Sequence, residues 1–325
     1  MSKSQLLKGA LLCFIAAVAW GAMFPVAESA LHHLDPFWFS TLRYVTVTIL
    51  LVLLLLWKEG RSAFRLDGKG FKLWIFGTFA FTIYNFGVFW GQQQLGKSGV
   101  LLASIMESFM PMLVVLLMWF LTRKRPNLGT LACVIVAFIG VLFVVTKGDL
   151  AMFGSSGFKI MPLLSIFAAV ISWVLYTVGS GQFKGFSALR YSTLTCLLGS
   201  ITSLVIVSIA TMFGQLKMPT STEIVPVLPE MAFMILAAGL LALLSWLKGI
   251  ELLSPVNGML FINFVPATTF VISVLQGYSV SVAEWIGTAL IVGALIANNI
   301  ISRRPAAETA PNGHASKVKS RASVA

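Results

Sequence analysis

The chain has 325 residues, of which 58% are hydrophobic and 10% are charged, and its mean hydropathy is +0.92. Soluble domains carry about 25% charged residues, so this composition excludes an ordinary soluble protein and predicts an integral membrane protein. The formal net charge of +12 comes from short segments between and after the apolar runs. Lysine and arginine in such segments report membrane orientation, and no nucleic-acid partner is expected.

Apolar runs long enough to cross a bilayer follow one another along the chain. A spanning helix needs roughly 20 apolar residues, and no run alternates polar and apolar residues as the strands of a membrane barrel do. The sequence therefore predicts an all-α polytopic membrane protein with ten transmembrane helices. The predicted spans are residues 9–31, 36–57, 71–94, 98–121, 128–146, 160–180, 187–213, 231–250, 255–276 and 282–302.

Lysine and arginine are distributed unevenly between the two predicted sides of the membrane. If the ten spans alternate in direction, 18 of these residues fall on the side of both termini and four on the other side. Basic residues concentrate on the cytoplasmic side of a membrane. We therefore expect both termini to be cytoplasmic, together with the strongly basic loops 58–70 and 122–127.

Several segments of the first half recur in the second half in the same order. STLRYVTVTIL, which begins at Ser40, recurs as SALRYSTLTCL at Ser187, and FIAAVAW, which ends at Trp20, recurs as FAAVISW, which ends at Trp173. Two further matched pairs are Trp90 with Trp246 and Pro111 with Pro266. These recurrences indicate two copies of one five-helix unit.

The expected organisation is a first repeat at residues 1–150, a second repeat at 157–302 and a disordered basic cytoplasmic tail at 303–325. Because five is an odd number of spans, the second repeat is predicted to lie inverted in the membrane. Inverted repeats are typical of secondary transporters, which bind substrate near the bilayer midplane where the two halves meet.

The chain resembles the ten-helix EamA-type members of the drug/metabolite transporter superfamily over about residues 8–302. The resemblance rests on AWGAMFPVA in the first span, the two LRY segments, SGVLLASIMESFMPMLVVLLMWF, SPVNGMLFINFVPATTFVISVLQG and EWIGTALIVGALIAN. It implies export of amino acids or related small metabolites by alternating access, in a bacterial inner membrane. One departure is that the Gly-Glu pair usual after spans four and nine is replaced by Arg123-Lys124 and Gly277-Tyr278.

Sequence motifs of enzymes and of ATP-driven pumps are missing. The chain has no HExxH, no P-loop and no Rossmann glycine fingerprint, and its three cysteines all lie in apolar runs without metal-ligand spacing. We expect no enzymatic activity, no cofactor and no metal site.

A glutamate, Glu107, lies in the middle of the fourth span, about ten residues from Lys97 and sixteen from Arg123. A charged carboxylate at this depth costs on the order of 3 kcal/mol, so Glu107 needs a specific environment. Two interpretations remain open. Glu107 is either a protonated acid that is hydrogen-bonded to a neighbouring helix, or a cavity residue that binds an ammonium group or exchanges a proton.

Prolines accompany polar residues in both central spans. Glu107 precedes Pro111 by four residues, and Asn263 precedes Pro266 by three. A proline inside a helix frees a backbone carbonyl about one turn earlier and kinks the helix. We expect Glu107 and Asn263 to form the polar floor of a cavity between the halves, and the two prolines to have gate or structural roles.

Further polar and aromatic residues at membrane depth are candidates for the cavity walls or for coupling. They are Trp20, Glu28, Tyr84, Asn85, Trp90, Trp173, Tyr176 and Trp246. The alternative for Glu28 is contact with interfacial water, for Asn85 an interhelical hydrogen bond, and for the tryptophans simple packing. The mirrored arginines of the two LRY segments, Arg43 and Arg190, are predicted to be structural or gate-forming, in preference to contacting substrate.

Together these features predict a secondary active transporter that exports small metabolites by alternating access, with protons as the candidate coupling ion. The cavity is expected between spans one, three, four, six, eight and nine. The expected partners are a small-molecule substrate and the lipid bilayer. The alternative is an uncoupled facilitator or channel for small solutes, although few polar residues line any complete path.

Overall fold

The computed structural model describes residues 3–123, 128–146, 148 and 160–303, and within them every regular element is a helix. This confirms the all-α prediction. The α-helices are α1 Lys3–Leu31, α2 Pro36–Glu59, α3 Gly70–Gly77, α4 Tyr84–Leu95, α5 Lys97–Glu107, α6 Met110–Thr122, α7 Leu128–Thr146, α8 Ile160–Gly179, α9 Ala188–Met212, α10 Ser221–Ile224, α11 Leu228–Ile235, α12 Ala242–Leu253, α13 Pro255–Met259, α14 Phe264–Leu275 and α15 Val282–Arg303. Lys124, the segment between the predicted repeats and the tail beyond Arg303 lie outside the described residues.

Seven helical segments are long and apolar enough to cross a membrane, and an eighth is added if α5 and α6, bent by 42°, are one broken span. The seven segments are Lys3–Leu31, Pro36–Glu59, Gly70–Leu95, Ile160–Gln182, Ala188–Met212, Ser221–Leu253 and Asn257–Leu275. Two shorter apolar stretches, Leu131–Val144 in α7 and Val282–Asn298 in α15, lie at the positions of the predicted fifth and tenth spans.

Local sequence determines where the two LRY helices begin. Asp35 caps α2, because its carboxylate accepts hydrogen bonds from the backbone amides of Phe37 at 2.9 Å and Trp38 at 3.2 Å. Ser187 caps α9 in the same way for the amide of Arg190, at 2.9 Å. The first arginine therefore lies two turns inside its helix, whereas the second lies in the first turn.

Two of the long segments contain a π-helical turn, at Thr78–Ile83 between α3 and α4 and at Leu236–Leu241 between α11 and α12. Such turns interrupt the regular hydrogen-bond ladder and occur frequently at functional sites. Side chains satisfy carbonyls at both places. Asn85 Nδ2 donates to Ala80 O at 2.8 Å, and Trp20 Nε1 donates to Ala238 O at 3.0 Å.

The helices pack in a regular scheme, in which α1 lies along α12 and α14, α4 along α8, α2 along α9, and α7 along α15. Glycines permit the closest approaches, as is usual between membrane helices. A Cβ atom on Gly77 would overlap the Thr195 carbonyl, and a Cβ on either Gly140 or Gly287 would overlap the carbonyl of the other.

The central helices break where the prolines predict. α5 ends at Glu107, and α6 begins at Met110, directly before Pro111. In the second half a 3-10 turn at Leu260–Asn263 precedes α14, which contains Pro266. Both breaks place polar side chains at helix ends inside the bundle rather than in a continuous helix.

Candidate functional site

Glu107 lies at the break between α5 and α6 and is almost fully buried, with 1% of its surface exposed. The Tyr84 hydroxyl donates a hydrogen bond to Glu107 Oε1. Glu107 Oε2 has no partner among the described residues. The carboxyl group thus has one fixed contact and one oxygen left for a proton or a ligand.

A cluster of aromatic rings surrounds this carboxyl group. Trp20 meets Trp173 edge to face with ring centroids 5.2 Å apart, and meets Trp246 at 5.3 Å. Tyr84 lies 5.0 Å from Trp173, which in turn lies 5.3 Å from Tyr176. Aromatic faces attract ammonium groups, so the rings suit a cationic or zwitterionic ligand.

The rings and the carboxyl group enclose a cavity that has room for about one water molecule. It is lined by Trp20, Met23, Tyr44, Tyr84, Glu107, Trp173 and Ile262. A metabolite of several heavy atoms does not fit into this cavity unless the side chains around it rearrange.

Three of these lining residues were not among the predicted site residues. Tyr44 follows the arginine of the LRY segment, and its recurrence as Tyr191 was a signal that could have identified it. Met23 follows Trp20 by three residues and therefore shares its helical face. Ile262 occupies the wall where Asn263 was expected, and no sequence signal distinguishes these two neighbours.

Other predicted residues lie around the cavity without lining it. Tyr176 is buried and stacks on Tyr191, with ring centroids 5.2 Å apart. Trp246 is fully buried, and its Nε1 has no partner among the described residues. Asn263 is half-buried, and its Oδ1 has no partner in the described part of the chain. Asn85 donates its amide to Ala80 O in the π turn of its own helical segment, so this bond is not the interhelical hydrogen bond of its alternative.

The structure does not bring all four tryptophans together. Trp20, Trp173 and Trp246 form one cluster, whereas Trp90 is half-buried and outside it. The two helical segments correspond at an offset of 158 residues, measured between the starts of their π turns, whereas the matched tryptophans are 156 residues apart. A shift of two residues turns a side chain by about 200° around a helix.

The two arginines have different environments. Arg43 is fully buried, and its Nε donates to Met234 O at 2.9 Å. Arg190 forms an ion pair with Asp67 at 2.7 Å and also donates to Arg65 O at 2.5 Å. Its guanidinium lies 3.8 Å above the Phe186 ring. Arg190 thus ties α9 to the loop between α2 and α3.

Two open pockets lie at opposite ends of α1, on either side of the closed cavity. Helix α1 is about 43 Å long at 1.5 Å per residue. Near its start, Gly9 lies against Leu252 and Leu253. A nearby pocket is lined by the segment that begins at Ser180 and by the segment that ends at Ser254. Near its end, Glu28 and Lys97 line a second pocket. We refer to these as the inner and outer vestibules.

Glu28 belongs to the outer vestibule and not to the cavity. Its Oε1 lies 3.3 Å from His32 Nε2, and the glutamate side chain is 27% exposed. Contact with interfacial water, the alternative for Glu28, agrees with this position.

The departure from the family's Gly-Glu pair after span nine has a structural counterpart. Tyr278 donates a hydrogen bond to Glu284 Oε1 at 2.7 Å, at the start of α15. Burial, followed by this hydrogen bond, raises the pKa of Tyr278 to about 12. Glu284, six residues after Tyr278, thus contacts the loop that follows α14.

The family model for the EamA-like transporter family matches the chain twice, over residues 7–146 and 160–300. The chain belongs to the EamA-like transporter family. An EamA relative from Bacillus subtilis (strain 168), the uncharacterized transporter YrdR, is 45% identical over 304 residues, which cover 94% of this chain and 95% of the relative. A second from the same organism, the uncharacterized transporter YyaM, is 26% identical over 285 residues, which cover 86% and 90%.

One solved crystal structure has the same fold, with a TM-score of 0.66 and 21% sequence identity, covering 94% of this chain and 100% of the solved chain. Membership of the EamA family makes this protein a membrane transporter and not an enzyme. It implies a small-molecule substrate and a bilayer around the apolar helices.

Proposed function

We propose that this EamA-family protein is a secondary active transporter that exports small zwitterionic metabolites, such as amino acids or related compounds, by alternating access in exchange for protons. The observation that carries the proposal is Glu107, a buried carboxyl group with one free oxygen inside a closed aromatic cavity. The coupling residue in this scheme is Glu107, with Tyr84 as its hydrogen-bond donor.

We further propose ten spans in two inverted repeats, residues 1–150 and 157–302. The helix packing supports this, because exchanging the two halves maps its main helix pairs onto one another. The contact between α1 and α12 in this scheme corresponds to the contact between α8 and α4. The contact between α1 and α14 corresponds to the contact between α8 and α6. The pairs α2 with α9 and α7 with α15 exchange with themselves. The double family match and the two π turns support the same arrangement.

Alternating access follows from the position of the cavity between the vestibules. On the inner side, the stacked rings of Tyr176 and Tyr191 and the indole of Trp173 separate the inner vestibule from Glu107. On the outer side, the fully buried Phe24 and Ala103 lie along α1 and α5 between residues that line the outer vestibule and residues that line the cavity. The two barriers consist of different side chains, so opening one at a time would expose the same site to either side.

Exchange of substrate for protons follows from the cost of burying charge. An ionised carboxylate at the centre of a membrane helix costs on the order of 3 kcal/mol. Either a proton or the ammonium group of a substrate removes this cost, and both cannot occupy the single free oxygen of Glu107 at once. Competition between the two on one group makes the transporter an antiporter.

The direction and location are proposed from charge. The basic residues are expected to face the cytoplasm, which places both termini there and the inner vestibule on the cytoplasmic side of a bacterial inner membrane. Metabolites from the cytoplasm would then enter beside Tyr191, and protons would enter from the side of Glu28.

The test is efflux from proteoliposomes loaded with a mixed pool of amino acids and related metabolites, with and without an imposed pH gradient, analysed by mass spectrometry. We expect one class of solute to leave only when protein is present, and faster with the gradient. Glu107→Gln should abolish gradient-driven efflux, whereas Glu223→Gln, an exposed glutamate that caps a surface helix, should not. Unchanged gradient-driven efflux in Glu107→Gln would refute the coupling role.

A counterflow measurement separates this proposal from an uncoupled channel. Unlabelled substrate on the far side accelerates movement of labelled substrate through a carrier but not through a channel. Absence of counterflow with a transported solute would favour the facilitator or channel.

A further inference from the structure

Arg43 is the one fully buried arginine among the described residues, two turns inside α2. Its Nε donates to the Met234 carbonyl, which lies just before the second π turn. Its Nη1 and Nη2 each lie 4.0 Å from the Met23 sulfur, and its Cζ lies 4.6 Å from the centroid of the Tyr44 ring.

This environment leaves most of the guanidinium without good acceptors. A guanidinium has five N–H donors and remains charged at every physiological pH. A thioether sulfur is a weak acceptor, and the described part of the chain contains no carboxylate within ion-pair distance of Arg43. Buried charges are normally paired, because an unpaired one costs several kcal/mol.

The comparison with Arg190 shows that this arrangement is particular to Arg43. Arg190 occupies the same position in the second LRY segment, yet it is paired with Asp67 and with a backbone carbonyl. The arginine that lies inside the membrane is therefore the one that lacks an anion.

The Nη end of Arg43 lies directly behind the cavity wall. Met23 and Tyr44, two of the side chains against it, both line the cavity that contains Glu107. A third, Phe89, has its ring centroid 6.0 Å from Cζ. Methionine is unbranched and has three rotatable side-chain bonds, so Met23 can leave the wall without any backbone movement. Its departure would bring the guanidinium fork into the cavity.

We infer that Arg43 is a substrate-specificity residue, which binds the carboxylate of a zwitterionic substrate once Met23 moves aside, while Glu107 binds the ammonium group. This inference rests on the proposed function and names how the same site selects its substrate. Arginine suits the role because its planar fork matches a carboxylate with two parallel hydrogen bonds. The anionic group of the substrate supplies the missing counter-charge.

The structural role of Arg43 and its role in binding use different atoms. Nε satisfies the Met234 carbonyl, and the two Nη groups point at Met23. A purely structural arginine would need only the contact between Nε and the Met234 carbonyl. The experiment must therefore distinguish loss of folded protein from loss of carboxylate recognition.

The test compares matched solutes in proteoliposomes loaded with an equimolar pool of neutral L-amino acids, the corresponding amino-acid amides and the corresponding primary amines. The measured quantity is the ratio of efflux of each acid to its amide. We expect wild-type protein to favour the acids, and Arg43→Gln to reduce the ratio by about 10- to 100-fold, the range for a lost hydrogen bond to a charged group. Arg190→Gln is the matched control and should keep the wild-type ratio.

A second variant keeps the inference testable if Arg43→Gln does not fold. Met23→Ala removes the side chain that covers the guanidinium and leaves Arg43 in place. We expect it to raise the ratio of acid to amide efflux, because the carboxylate reaches Arg43 without displacing a side chain. A ratio that stays the same or falls in Met23→Ala would overturn the inference.

The remaining outcomes are also decisive. If Arg43→Gln lowers efflux of acids and amides equally, Arg43 acts through the fold and the inference is wrong, while the proposed function stands. If wild-type protein moves no member of the pool, the proposed function is refuted and the inference with it.

Discussion

Replacing Tyr84 by phenylalanine isolates one atom of the proposed coupling site. The substitution keeps the ring that packs 5.0 Å from Trp173 and removes the hydroxyl that donates to Glu107 Oε1. Because Oε2 already lacks a partner among the described residues, both oxygens of the carboxyl group would then be buried without a donor.

The expected size of the effect follows from the cost of an unsatisfied buried acceptor, which is about 1–3 kcal/mol. At 1.4 kcal/mol per factor of ten, this corresponds to a loss of about 5- to 150-fold. The cost falls on every step in which Glu107 is ionised. We therefore expect gradient-driven efflux by Tyr84→Phe to fall within this range, with the protein still folded.

Tyr278→Phe is the matched control, because it removes the same hydroxyl from a bond of the same kind, 2.7 Å from Glu284, at the outer vestibule and outside the cavity. Efflux per folded molecule should stay within about twofold of wild type, since distant sites act independently. Efflux is measured with the same proteoliposomes and pH gradient, and folding by size-exclusion chromatography. Wild-type efflux in Tyr84→Phe, or an equal loss in both variants, would refute the role of this hydrogen bond.

Three further outcomes concern stability in detergent. Trp20→Phe removes the donor to the Ala238 carbonyl and should cost about 1–3 kcal/mol; an unchanged melting temperature would show that this bond does not hold the π turn. Gly287→Val should lower the stability of the folded protein by about 1–3 kcal/mol, because the larger side chain overlaps Gly140. Gly293→Ala should leave the stability unchanged, because its Cβ meets nothing within 4 Å. Equal losses of stability in the two variants would contradict the close packing of α7 on α15. Because the pKa of Tyr278 is raised to about 12 in the folded protein, its stabilising contribution is complete below about pH 10 and is lost as the pH rises to about 12. Wild type and Tyr278→Phe should therefore converge in stability over that range, and a constant difference in pH scans would contradict this.

Much of the architecture could be predicted from sequence, because the length and hydropathy of an apolar run identify a membrane helix. The helical breaks at Pro111 and before Pro266 follow from proline chemistry, and the structure has both. The placement of Glu107 inside the bundle follows from the cost of exposing a carboxylate to lipid. These inferences need only local sequence.

The cavity wall could be predicted only in part, because its composition depends on which helix faces which. Tyr44 comes from α2, a helix that was not expected at the cavity, and Ile262 replaces its neighbour Asn263. Trp90 and Trp246 face different ways because they are two residues out of register when spans three and eight are aligned on their π turns. One residue gained or lost in a helix rotates everything after it by about 100°, and no short sequence pattern reports that.

The small size of the cavity affects how readily protons could leak across the membrane through this protein. A chamber with room for about one water molecule cannot hold the hydrogen-bonded file of waters along which protons hop between the two faces. Moving one elementary charge across a membrane releases about 2.3 kcal/mol per 100 mV of membrane potential. A permanent file of waters through the protein would dissipate this energy continuously. A cavity of this size around Glu107 would thus limit proton leakage through a molecule that is not transporting substrate.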